Sequence, residues 1–175
     1  DVRDFRYRGE GWPGQATALD AVGQPHAMSY EESWGRILCQ DVNFRCKICP
    51  DGFGELADIS CGDAWHVRDG RPDFAERPGR SLAFVRSARG RELFAAARAA
   101  GYVVAEPFPV DDLPVIQFSQ VQRKIHAGVR LAALKLLGDR LLDFSGFCLL
   151  ANVGQSRFVD VIRNFWGTLR RRRAA

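Results

Sequence analysis

The run FRCKICPDGFGELADISCGDAW (44–65) holds Cys46, Cys49 and Cys61, and Cys39 stands just upstream. Thiols held this close, on a segment rich in glycine and acidic residues, constrain a chain more than any other feature here. They must be joined to each other, bound to a metal or used in redox chemistry, and each choice fixes a different local path. The intervals are six residues from Cys39 to Cys46, two from Cys46 to Cys49 and eleven from Cys49 to Cys61.

Four readings compete. The chain has five cysteines, and its first residues, DVRDFRYRGEGW, lack the charged-then-apolar pattern of an export signal. An odd count without export points to a reducing, cytoplasmic setting and against a disulfide. A thioredoxin-type dithiol opens a helix after a strand, whereas PDGFGE is a poor helix start. Zinc could take Cys46, Cys49 and Cys61 with Cys39 or His66 as a fourth ligand. Zinc ribbons repeat the close pair, however, and here there is one. An iron–sulfur cluster accepts clustered cysteines with a distant fourth, and Cys49 precedes Pro50 as in some ferredoxin-type runs. Spacing leaves cluster and zinc both open.

The 175 residues suit one domain, or one domain with an extension, and 46% hydrophobic with 26% charged residues is a globular balance. No run approaches the ~18 apolar residues of a membrane span. The net charge of +4 is matched by the four arginines 170–173, so basicity belongs to the tail and argues against a nucleic-acid-binding body. The chain has no initiator Met and opens mid-strand, as a piece of a longer chain would.

Along the chain, Phe5 and Tyr7 alternate with charged residues and lead through Gly9–Gly14 to a second strand at 16–21, predicting a hairpin. Ser29 and Glu32 form a capping box for a helix bearing Trp34, Ile37 and Leu38. A short strand is expected over 56–60 and a surface loop over 66–80. Residues 81–108 read as strand, helix and strand, with YVVAEPF (102–108) as the second strand. Helices are expected over 118–137, stopping at Gly138, and from about 157 to 169. The fold class is α+β, a mixed sheet with packed helices. It divides into an α+β redox domain with the cysteine motif (1–112) and a helical extension (113–175).

The cysteine run resembles the signature of the coenzyme F420 hydrogenase/dehydrogenase beta-subunit family, in its C-terminal domain. So do FRYRGEGWPG (5–14), SYEESWGRIL (29–38), PGRSLAFVRSARGREL (78–93) and QVQRK (120–124). The resemblance implies an iron–sulfur flavoprotein that passes electrons between a [4Fe-4S] cluster, FAD and a partner. That partner would be coenzyme F420, or ferredoxin as in plant chlorophyll-derivative reductases, with other subunits of a redox complex alongside. Cys46 and Cys49 match the family's close pair; a four-thiolate cluster within this chain would add Cys61 and Cys39. Asp51, Glu55, Ala57, Asp58, Gly62, Asp63 and Trp65 match the surrounding pattern.

For FAD, the helix start at 86–90 offers N–H groups and cations to a pyrophosphate, which makes Arg86, Ser87, Arg89 and Gly90 candidates, with Asp58 and Asp63 beside them. The blander readings are that Ser87 caps a helix, the arginines are solvated and the aspartates bond turn backbone. No G-x-G-x-x-G is present, so a Rossmann site is not indicated. Trp12, Trp34 and Trp166 read as packing residues and Cys148 as a buried apolar side chain. The arginine tail, with the 158–169 helix, is a candidate for peripheral contact with an anionic membrane. A zinc-stabilised, non-enzymatic interaction module is the alternative function.

Overall fold

The computed structural model describes residues 1–141 and 143–173; of the expected 113–175 extension, positions 142, 174 and 175 lie outside the described residues. The strands are β1 (Val2–Arg6), β2 (Ala16–Asp20), β3 (Pro25–Met28), β4 (Ile59–Asp63), β5 (His66–Arg68), β6 (Arg71–Asp73) and β7 (Ser81–Val85). A π-helix (Glu31–Leu38) precedes α1 (Phe44–Ile48), and α2 (Ala88–Ala99), α3 (Leu113–Ile116), α4 (Phe118–Leu136), α5 (Leu149–Val153) and α6 (Phe158–Arg173) follow. The chain is α+β. Two compact units interleave along it: residues 1–43, 61–83 and 108–116 make the first, and 44–60, 84–107 and 117–175 the second.

The first unit begins with the expected hairpin, β1 and β2 antiparallel, extended by β3. The capping box forms at Ser29, whose hydroxyl accepts the Glu32 N–H at 3.2 Å while the Glu32 carboxylate accepts the Ser29 N–H at 3.3 Å. The Ser29 hydroxyl, which donates to the Glu32 carboxylate at 2.7 Å, and then the Ser29 N–H lower the Glu32 pKa. The helix it opens is wound wide, its last turn closed by the Cys39 N–H donating to Trp34 O at 3.0 Å.

Three differences from the sequence reading have physical causes. The 66–80 loop contains the β5–β6 hairpin, turned by Asp69 and Gly70, both at positive φ (50° and 70°). Asp-Gly is the dipeptide that primed hairpin turns favour, so a signal was present. YVVAEPF forms no strand; Val104 is 100% exposed and Tyr102 85%, with no ladder to join. Residues 81–108 therefore form a strand and a helix without the expected second strand. The expected mixed sheet is accordingly replaced by three small sheets, β1–β2–β3, β4–β7 and β5–β6. Cys148, expected in the core, is exposed and left-handed (φ 50°) ahead of α5.

The second unit is helical. Its buried residues lie mainly on α4, where Ala127, Leu131 and Leu134 share one side and Val129 and Ala133 the opposite one, so the helix is buried on both, and Thr168 and Leu169 of α6 are buried as well. His126 is buried with Nδ1 2.8 Å from Gln122 O, a satisfied core histidine.

Candidate functional site

Cys46 lies in α1 and Cys49 one residue past its end, so one short turn presents both thiols, Cys46 exposed and Cys49 partly buried. The chain then reverses sharply. Asp51 donates its N–H to Cys49 Sγ at 3.4 Å and its carboxylate accepts the Glu55 N–H at 2.5 Å. Hydrogen bonds to a ligating sulfur are among the features that tune a thiolate-bound cluster. The loop continues over Gly54 (φ 62°) to Ser60, whose hydroxyl donates to Phe53 O at 2.7 Å.

Helix α4 holds this loop at three points. Arg130 donates Nη1 to Lys47 O at 2.6 Å, and its Nε and Nη2 both reach Asn164 Oδ1 of α6, at 3.0 and 2.8 Å. Lys124 pairs with Glu55 at 2.5 Å. Among the described residues, Gln120 Oε1 is buried without a hydrogen-bond partner, and a Cβ on Gly52 would come within 2.3 Å of it. Burial lowers the Arg130 pKa, and the charges of Arg171 and Arg123 lower it further. A desolvated guanidinium is thus committed to the carbonyl between the two cysteines.

Cys39 and Cys61 belong to the first unit, Cys46 and Cys49 to the second. Cys39 Sγ donates to Gly35 O at 2.7 Å, and Cys61 is an exposed thiol on β4. Among the described residues, no group of three or more His, Cys, Asp or Glu side chains gathers to hold a metal ion. Within the second unit, Cys46 and Cys49 share one short turn.

At the α2 start, Ser87 Oγ caps the helix by accepting the Gly90 N–H at 3.0 Å and donates to Asp58 Oδ1. Arg86 donates to Ser60 Oγ at 2.8 Å and to Phe53 O at 3.0 Å, lying over the Phe84 ring. Gly90 is buried against the Asp58 backbone, where a Cβ would meet Asp58 O at 2.5 Å. These residues fit a pyrophosphate poorly: the capping Ser87 hydroxyl is bonded to the Asp58 carboxylate and Arg86 is engaged on the cysteine loop. Arg89 remains an exposed cation.

Sequence reasoning missed the arginine at the centre of the first unit. Arg8 stands 5.3, 5.5 and 5.9 Å from the ring centroids of Trp65, Tyr30 and Trp12. It also pairs with Asp63 at 2.9 Å and donates Nε to Pro13 O at 2.8 Å. Trp12 stacks on Trp65 with centroids 4.3 Å apart, and Phe74 meets Trp65 edge-on at 4.8 Å. Trp12 thus packs as expected, whereas Trp34 and Trp166 remain 43% and 57% exposed. Burial raises the Tyr30 pKa, with the Asp63 charge second. The signal lay in two short segments: FRYRGEGWPG supplies Arg8 and Trp12, and GDAW supplies Asp63 and Trp65. Their meeting point is this cation–aromatic cluster.

Those segments fall in one matched stretch. Residues 1–111 match the family model that describes the C terminus of the coenzyme F420 hydrogenase/dehydrogenase beta subunit. The chain belongs to this family. No curated protein and no solved structure matches the chain. As an F420 hydrogenase/dehydrogenase beta-subunit relative, it is an oxidoreductase-type protein whose family setting is a multi-subunit redox complex. All four motif cysteines and the α2 start lie inside the matched stretch, whereas α4, α5 and α6, with Arg130, Lys124 and Asn164, lie beyond it.

Proposed function

We propose that this chain is an iron–sulfur flavoprotein oxidoreductase domain of the beta-subunit type, exchanging electrons with coenzyme F420 or ferredoxin. One observation carries the reading. Within the family-matched stretch, Cys46 and Cys49 share one turn, and a backbone N–H already points at the Cys49 sulfur. The donor set is two thiols on a loop closed by its own backbone and by α4, which suits a soft thiolate-bound centre. Cys61 and Cys39 are the further thiols that this chain could add. When bound, a [4Fe-4S] cluster supplies one-electron transfer and FAD converts between one- and two-electron steps.

This chain's own residues set the conditions. Asp51 N–H donates to the Cys49 sulfur. Arg130 fixes the carbonyl between the cysteines, and Lys124–Glu55 keeps the loop from opening. FAD enters from the family resemblance, and no step is assigned to the residues at 86–90.

The test is anaerobic reconstitution of the chain with iron and sulfide, followed by measurement of iron, zinc and flavin. Stoichiometric iron with bound flavin is expected. Stoichiometric zinc without flavin would replace the reading with a zinc-stabilised interaction module.

A further inference from the structure

Helix α6 has two unlike faces. Thr168 is buried in the second unit, as is Leu169 toward the helix end, while Phe158, Val159, Ile162 and Trp166, on the side away from Thr168, are 76%, 62%, 43% and 57% exposed. Phe158, Ile162 and Trp166 recur at four-residue spacing, so they form one outward row with Val159 beside it. Arg163, Arg170 and Arg173 fall along the same side of the helix and are exposed.

The charge is as lopsided as the apolarity. Residues 157–173 carry six arginines and one aspartate, a net +5 in a chain of net +4, so the remainder is close to neutral. The single acid, Asp160, is engaged by Arg157 at 2.9 Å and Arg163 at 3.6 Å. Arg172 is tied to Asp139 at 2.8 Å, which anchors the helix end. No helix among the described residues is long and apolar enough to cross a membrane.

We propose that the Phe158/Val159/Ile162/Trp166 face of α6, with Arg163, Arg170 and Arg173, docks on an anionic lipid bilayer. The occupant follows from charge complementarity. An outward row of large apolar side chains ringed by arginines, with no unneutralised acid, is the composition of a helix lying in the headgroup layer. Phe and Trp rings enter the acyl boundary while guanidinium groups meet lipid phosphates. The inference is independent of the redox reading and concerns a segment outside the family match.

The test is flotation of the full chain with vesicles of phosphatidylcholine containing phosphatidylglycerol, against vesicles of phosphatidylcholine alone. Binding to the anionic vesicles only is expected, with a blue shift of tryptophan emission that is lost in Trp166→Phe. Arg170→Glu/Arg173→Glu should weaken binding by at least about fivefold per arginine, and Trp166→Ser should weaken it without changing the fold, since these side chains are exposed. Failure to bind anionic vesicles would overturn the proposal, as would equal binding to both kinds. A lipid-independent dimer abolished by Trp166→Ser, with no flotation, would also overturn it and assign the face to a second copy of the chain.

Discussion

The two units are stabilised in different ways. In the first, one arginine sits among three aromatic rings with a carboxylate beside it, and hairpins surround them. In the second, the cysteine loop is held by polar contacts from α4 and from Arg86, just before α2. The first arrangement stores its stability in a shared cluster. The second places stability in the helices and geometry in the contacts. Pro50 is fully buried in that loop while Cys46 stays exposed and Cys49 partly so, which keeps a thiol accessible, as a redox centre needs.

The largest expected effect breaks the first arrangement. Arg8→Met removes the cation from three rings and leaves Asp63 without that partner beside Tyr30; a loss of about 2–3 kcal/mol is expected in denaturant unfolding. Arg8→Lys should recover part of that loss, because the charge remains but the planar fork and the Nε bond to Pro13 are lost. Full stability in Arg8→Met would mean that the aromatic rings alone hold the unit.

In the second unit, Gly90→Ala reverses the usual rule. Alanine normally stabilises a helix by about 0.5–1 kcal/mol over glycine. Here its Cβ would stand 2.5 Å from Asp58 O, a backbone atom with little room to move. A net destabilisation of about 1–3 kcal/mol is expected, and a stabilised variant would show that the 58–60 segment yields.

Arg130→Met sharpens the contrast. Arg130 is desolvated, and among the described residues its hydrogen-bond partners are an amide oxygen and a carbonyl. Losing it should change global stability by about 1 kcal/mol or less. Amide exchange across 48–52 should nonetheless quicken several-fold, since the loop loses its tie to α4. Unchanged exchange would deny α4 the role of holding the cysteines.

These contrasts also explain what the sequence made legible. Local chemistry was readable: the Ser29–Glu32 box, the Ser87 cap and the stop at Gly138 each involve residues within a few positions of one another. The Asp69–Gly70 turn was equally local and was overlooked. The contacts that build the sites are distant in sequence. Arg8 meets Asp63 and Arg130 meets Lys47 across 55 and 83 positions, and no periodicity encodes such pairings. YVVAEPF failed as a strand for a related reason. Its β-propensity is real, but propensity is realised only where a partner edge exists. Cys46 and Cys49 were legible as a pair because two residues separate them.

The smallest effect is a titration. Desolvation first, and then the charges of Arg80 and Arg77, hold His66 below the ordinary histidine value of 6.5. The unfolded chain therefore binds the proton more readily. The contribution of His66 to stability is complete above pH 6.5 and is lost as pH falls through its lowered folded value. An NMR titration of His66 should give a midpoint below that of a free histidine. A midpoint at or above it would mean that the neighbouring arginines do not bear on the ring.

The central claim is that the Cys46/Cys49 turn is a thiolate centre for iron. The direct measurement is the iron content and thiolate-to-iron absorption of anaerobically reconstituted protein, compared among the unmodified chain, Cys46→Ser, Cys49→Ser and Cys148→Ser. Loss of both signals is predicted in the Cys46 and Cys49 variants, with full retention in Cys148→Ser, whose thiol is exposed ahead of α5. Full iron in the Cys46 variant would contradict the claim.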